Sequence, residues 1–305
     1  MINIIINLIA LIILPFLMLG IIKKTKAFWA GRKGSSLFQP FWDFLRLLKK
    51  QAIYSQTTSW VFKISPVINI SIMLFASLFV PLMTGQAFLD IPFAFVIFSY
   101  VLAFAKFFSL ISALDTGSSF EGMGASREAC FSTIVEPAFF IAMGSIVALS
   151  KEHTFENLKM IMENSGIYGI LIVILMIINL FIMLLIECSR VPVDDPATHL
   201  ELTMIHEVMI LDNSGIDLAF ILWASMIKMF LISSLIAAIL IPLGLNLLIS
   251  IILFLIVIFL ISIAIGTVES MMARFRMTHI FEFIFVMSIM ALIVLTLVTY
   301  RIYGN

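Results

Sequence analysis

Charge is scarce in this sequence. Only 12% of its 305 residues are Asp, Glu, Lys or Arg, against ~25% in a typical soluble domain. Cysteine is scarcer still: Cys130 and Cys188 stand far apart and form no CxxC pair. Two thiols cannot supply the four ligands that an iron–sulfur cluster or a structural zinc ordinarily takes. A redox centre coupled to this chain therefore has to sit in another one. There is no basic tail or acidic tract and the formal net charge is zero, so nothing is arranged to bind nucleic acid. What is present is hydrocarbon: 62% of the residues are hydrophobic and the mean hydropathy is +1.18. A soluble core of this length cannot hide that much apolar surface, and lipid must be its main solvent.

The sequence therefore predicts an all-α, polytopic integral membrane protein, one membrane domain over residues 1–305, with about eight spans of ~20 apolar residues each. These runs fall near Ile4–Ile22, Pro66–Met83, Ile91–Ala113, Cys130–Leu149, Ile167–Ile186, Leu218–Ile241, Leu243–Thr267 and His279–Tyr300. The uncharged N-terminal run lacks a basic flank and reads as a retained first helix, not a cleaved signal. Loops are expected at about 23–65, 114–129, 187–217 and 268–278. They carry Lys23, Lys24, Lys26, Arg32, Lys33, Arg46, Lys49, Lys50, Lys63, Arg127, Arg190, Arg274 and Arg276, while the other side has Lys151, Lys159 and Arg301. That bias places the loops in the cytoplasm, with both termini outside. Within the first loop, Phe38, Phe41, Trp42, Leu45 and Leu48 recur at helical spacing, with Asp43, Arg46, Lys49 and Lys50 elsewhere. This reads as an amphipathic interfacial helix or a juxtamembrane anchor.

The richest polar segment follows the fifth span, from Glu187 to Gly215. Thr198 and Glu201 have capping-box spacing, which predicts a short helix carrying Glu201, His206, Glu207 and Asp212 and ending at Gly215. Metal chemistry is poorly served. His206-Glu207 is followed by Ile210 where HExxH requires histidine, and two helical turns (~10 Å) separate His199 from His206. Ser189 and Cys188 have no base at a recognisable spacing, so covalent catalysis is not expected. In the segment Ser118–Ala129, Gly122 and Gly124 permit close backbone approach, and Ser126 is placed to cap a helix. Arg274-Phe275-Arg276 suits an acidic protein surface or lipid headgroups, though positive-inside anchoring explains it equally.

Ionisable groups at membrane depth are costly and mark ion or proton routes. Glu136, beside Pro137, and Lys228, near the middle of the sixth span, cannot easily reach water. Lys106 is open to snorkelling, and Glu187, Glu269 and Glu282 to solvation at helix ends.

Taken together and in order, these segments resemble the complex I subunit 1 family. The resemblance rests on Gln39-Pro40, Asp43, Arg46 and Lys49; on Gly124, Arg127 and Glu136; on Glu187, Arg190, Pro192, Asp194, Pro196 and Glu201; and on Arg274-Phe275-Arg276. The stretches Glu121–Glu128, Arg190–Gly215 and Glu269–Arg276 are similar to the hydrogenase branch, of the formate hydrogenlyase and hydrogenase-4 type. Ala197 and His199 stand where the quinone branch carries acidic residues. The resemblance implies a membrane anchor and coupling subunit of a hydrogen-evolving complex in a bacterial or archaeal inner membrane. The chain itself would bind no cofactor. Iron–sulfur clusters and a nickel–iron site would lie in hydrogenase small and large subunits and a polyferredoxin-like subunit, with antiporter-like membrane subunits alongside. Glu136, Glu187, Glu201, Glu207, Lys228 and Lys106 would then serve coupling to proton or sodium movement. Glu121, Arg127, Glu128, Arg190, Asp194, Asp195, His199, His206, Asp212, Glu269, Arg274 and Arg276 would shape the docking loops. A quinone-site subunit and a free-standing ion transporter are the alternatives, and no internal repeat supports the second.

Overall fold

A computed structural model of the chain describes residues 2–150, 166–195, 204–242 and 245–303. The described residues form helices and connecting turns, with no strand. In chain order the helices are α1 (Ile2–Trp29), α2 (Gln39–Leu48), α3 (Trp60–Ala76), α4 (Ala94–Asp115), α5 (Ser119–Ser150), α6 (Gly166–Glu187), α7 (His206–Met209), α8 (Gly215–Leu240), α9 (Leu247–Met271) and α10 (Met277–Tyr303). Six of these, α1, α4, α6, α8, α9 and α10, are long and apolar enough to cross a membrane. The chain is an all-α polytopic membrane protein. The expected count of about eight spans also includes α3, a shorter apolar helix, and the apolar part of α5.

Helix α8 is the centre of the bundle. Its most apolar window is 67% buried, against 28% for α9 and α10, and it packs on α1, α2, α3, α6 and α9. Its polar side chains, among them the fully buried Ser233 and Ser234, favour an inner place over lipid contact, and Phe230 meets Phe254 of α9 at 6.2 Å. Around it, α3 pairs with α4, α1 with α9, and α5 with α10.

Several expected boundaries move. The second span ends at Ala76 instead of reaching Met83, and it starts at Trp60, where the Ser59 side chain accepts from Val61 N. Residues 77–93 then turn, tied to α1 by Asn7 Nδ2 donating to Thr84 Oγ1 and to the Gln86 carbonyl. Segment 118–129 is not a loop with a capping Ser126. α5 is continuous from Ser119, and Ser126 Oγ donates back to the Met123 carbonyl inside it. Gly215 does not end the short helix; it opens α8 with φ +56, and a Cβ there would sit 2.4 Å from the Gln51 carbonyl oxygen. Between 204 and 214 only His206–Met209 is helical, and Asp212 lies beyond it. Phe38, just before α2, and Trp42 on it are exposed, while Phe41 and Phe44 pack on Phe16, and Phe44 on Trp223.

The polar connections gather at one end of the bundle. Ile53 N donates to Ser214 Oγ, Ser59 N to Asp115 Oδ2, Phe275 N to the Pro192 carbonyl and Arg127 Nη1 to the Met204 carbonyl. Gly124 makes this closure possible: a Cβ on it would lie 2.8 Å from the Ile205 carbonyl oxygen. Gly124→Val is therefore expected to push residues 205–209 off α5 and cost about 1–3 kcal/mol, read as a lower Tm of the detergent-purified protein. Gly122→Ala, facing open space apart from Leu114, should leave the Tm near that of the parent.

Candidate functional site

Glu187 ends α6, where the helix dipole disfavours a carboxylate. It is tolerated because two lysines from other helices converge on it. Lys106 Nζ, from α4, donates to Glu187 Oε1 and, at 3.0 Å, to Ser132 Oγ of α5. Lys228 Nζ, from α8, lies 3.7 Å from Glu187 Oε2. Glu128 Oε1, from α5, lies 4.0 Å from Lys106 Nζ. All four side chains are largely shielded. Charges removed from water are kept only by partners, and deleting one member of a buried pair costs about 3–5 kcal/mol. Lys106 is thus an ion-pair hub and does not snorkel. Glu136 is partly buried and lines a space of about 10 Å³ together with Lys106 and Glu187.

A second charged group binds the loops together. Glu269 is not solvated at its helix end. It is buried, with Lys26 Nζ at 2.9 Å from Oε2 and Arg190 Nη1 at 3.3 Å from Oε1. Asp194 is almost fully buried: Arg274 Nη2 reaches Oδ1 at 3.0 Å, and the N–H groups of Ile205 and His206 donate to Oδ2 at 3.0 Å each. Burial pushes the Asp194 carboxyl above the usual carboxylate range, against the pull of those N–H groups and Arg274. Glu121 accepts from Asp212 N at 3.0 Å, and burial likewise raises its pKa. Asp195 N donates to Asp194 Oδ1. Arg276 and Glu282 are exposed, the latter beside His279 Nδ1 at 2.9 Å. Gln39 Nε2 donates to Asp43 Oδ1, with Arg46 3.7 Å from the same oxygen, while Lys49 is exposed. His199 and Glu201, with the Thr198 capping box, lie outside the described residues.

Between the two groups is open space. A chamber of about 400 Å³ is walled by Lys23 and Lys26 of α1, Asp43 and Phe44 of α2, Arg190, Asp194, His206, Glu207 and Glu269, and by Leu222, Ser225 and Met226 of α8. A smaller space of about 50 Å³ is lined by Lys106, Glu128 and Lys228 with Asn69 and Ser109. His206 and Ser225 line both, and Lys106 lines both the smaller space and the one beside Glu136. The charged side chains thus run as an axis from a chamber under the loops to Glu136 within the bundle.

The NADH dehydrogenase family model matches residues 2–300. The chain belongs to the complex I subunit 1 family. It is 25% identical over 228 residues to formate hydrogenlyase subunit 4 of Escherichia coli K12, covering 75% of this chain and 73% of that one. It is 28% identical over 238 residues to hydrogenase-4 component C of the same organism, covering 77% and 73%. The fold matches a chain in the structure of the membrane-bound sulfane sulfur reductase, an archaeal respiratory membrane complex, with a TM-score of 0.81, 18% identity and 96% and 98% coverage.

In this complex I subunit 1 family member, sequence reasoning missed Lys26, counted only as an orientation charge, and Ser132, Ser225, Asn69 and Ser109. A small polar residue inside an apolar run was the available signal for the last four. His206 is the titratable side chain shared by both spaces. Burial, then Lys228 and Arg190, lower its pKa to about 4 from 6.5. The unfolded chain takes up this proton near pH 6.5 and the folded chain only near pH 4. Its contribution is therefore complete above pH 6.5 and is lost as pH falls through that window, at up to about 1.4 kcal/mol per pH unit. We expect His206→Asn to flatten the fall in Tm between pH 6.5 and 4 relative to the parent, measured by thermal denaturation in detergent.

Proposed function

We propose that this chain is the membrane anchor and coupling subunit of a hydrogen-evolving hydrogenase complex of the formate hydrogenlyase kind, with its loop-bearing end in the cytoplasm. The observation that carries the reading is the buried axis from the chamber through Lys228, Glu187 and Lys106 to Glu136. A chain serving only as an anchor has no need of ionised groups that each cost several kcal/mol to bury. The two curated relatives, by name a formate hydrogenlyase subunit and a hydrogenase-4 component, supply the class of complex. Small and large hydrogenase subunits with their iron–sulfur and nickel–iron centres would dock over residues 188–214 and 269–276 and the start of α5. Antiporter-like subunits would flank the bundle.

In this reading, electron transfer above the loops changes the charge near Arg190, Asp194 and Glu269. A changed neighbouring charge moves a buried group's proton affinity. Glu187, held between two lysines, passes that change to Glu136 and onward to proton or sodium movement. Arg274 and Arg190 hold the loops that feel the charge first.

The size and apolar walls of the chamber favour one second reading, a quinone-reactive subunit. Stimulation of turnover by added quinone, blocked by quinone-site inhibitors, would select it over the first. For the coupling role, the complex carrying Glu136→Gln or Glu187→Gln should still evolve hydrogen from an artificial donor in membrane vesicles. It should move at least about tenfold fewer protons per hydrogen formed. Wild-type proton movement in both variants would sink the coupling role. Glu136→Gln keeps the test informative if Glu187→Gln, which strands two lysines, fails to assemble.

A further inference from the structure

We infer that His206 is the proton relay between the chamber and the charged axis, and not simply a residue that shapes a loop. This rests on the coupling reading above. Three observations place it there. His206 lines both the 400 Å³ chamber and the 50 Å³ space that holds Lys106, Glu128 and Lys228. Its Nε2 is buried and has no hydrogen-bond partner among the described residues. Its backbone is held from two sides, by Asp194 Oδ2 accepting from His206 N at 3.0 Å and by α5 packed on the preceding residue through Gly124. A loop-shaping histidine would spend its ring nitrogens on loop partners; here the backbone is anchored and a ring nitrogen is left available.

The chemistry suits the position. Lys106 and Lys228 lie on the inner side, Arg190 on the chamber side, and the carboxylates of Glu128, Asp194 and Glu207 border the same spaces. Among these cations the imidazole rests neutral, so one ring nitrogen is basic and the other carries a proton. A proton arriving from the chamber forms an N–H bond at the basic nitrogen. The transient imidazolium then releases the proton on its other nitrogen to Glu128, directly or through a water, for which the smaller space has room. One N–H bond forms, one breaks, and no electrons move. Ring rotation or tautomer exchange resets the site. Lysines cannot replace this step, because an ammonium has no lone pair on which to accept a second proton. Ser225, the other shared wall, can donate and accept a hydrogen bond but does not hold charge.

The test uses the assembled complex in vesicles, with hydrogen evolution and proton movement recorded together for His206→Gly and His206→Asn. Both variants should lose at least about tenfold in protons moved per hydrogen formed. The chamber is large enough to admit imidazole, so added imidazole should restore the ratio in His206→Gly, while 1-methylimidazole, with a single exchangeable nitrogen, should not. A purely structural role predicts no difference between the two amines. Wild-type ratios in both variants, or equal rescue by both amines, would overturn the relay. Glu128→Gln and Glu187→Gln are measured alongside. If they lose coupling while the His206 variants keep it, the relay alone falls; if all four keep it, the coupling reading falls with it.

Discussion

Lys106, Glu187 and Lys228 come from three different helices and meet where lipid would otherwise be the solvent. None of them is stable there alone. A lone carboxylate or ammonium in a low-dielectric interior carries a solvation penalty of several kcal/mol, so the three groups can be ionised only if α4, α6 and α8 sit close together. The helix packing and the ion group thus depend on one another. Glu128 and Ser132 extend the requirement to α5, whose continuous course from Ser119 carries both to Lys106.

The same logic builds the loop end. Asp194 takes hydrogen bonds from the backbone of Ile205 and His206 and an ion pair from Arg274. Glu269 gathers Lys26 and Arg190. Two carboxylates therefore join α1, the segment after α6, the residues before α8 and the turn between α9 and α10. The chamber is what remains between this polar roof and the apolar wall of α8, with α2 closing its side through Phe44 against Trp223. A shift in charge at the roof is felt directly by the groups that line the chamber, which is the physical content of the coupling reading.

Gly124 shows how little sequence can be needed for such an assembly. One missing Cβ lets α5 lie against residues 205–209, and Arg127, one turn along, then reaches the Met204 carbonyl. The glycine was legible as a point of close approach. Its partner was not, because residues 204–209 are some eighty positions away and nothing local encodes that proximity.

Length, hydropathy and the shortage of charge were enough to establish a polytopic helical membrane protein and most of its long helices, because the cost of burying a backbone or a charge in lipid acts on each segment by itself. The order of its polar motifs was enough to establish the family. Tertiary structure decided what the sparse charges do. Glu187, Glu269 and Glu282 read alike in sequence, as charges near helix ends. Only the fold makes the first an ion-pair hub, buries the second between Lys26 and Arg190, and leaves the third exposed. The early start of α5 and the brevity of α7 were likewise decided by packing, which overrode the local capping signals at Ser126 and Gly215. Local chemistry settles whether a segment is helical and apolar, whereas the state of a charge is set by partners that the chain brings in from far along its length.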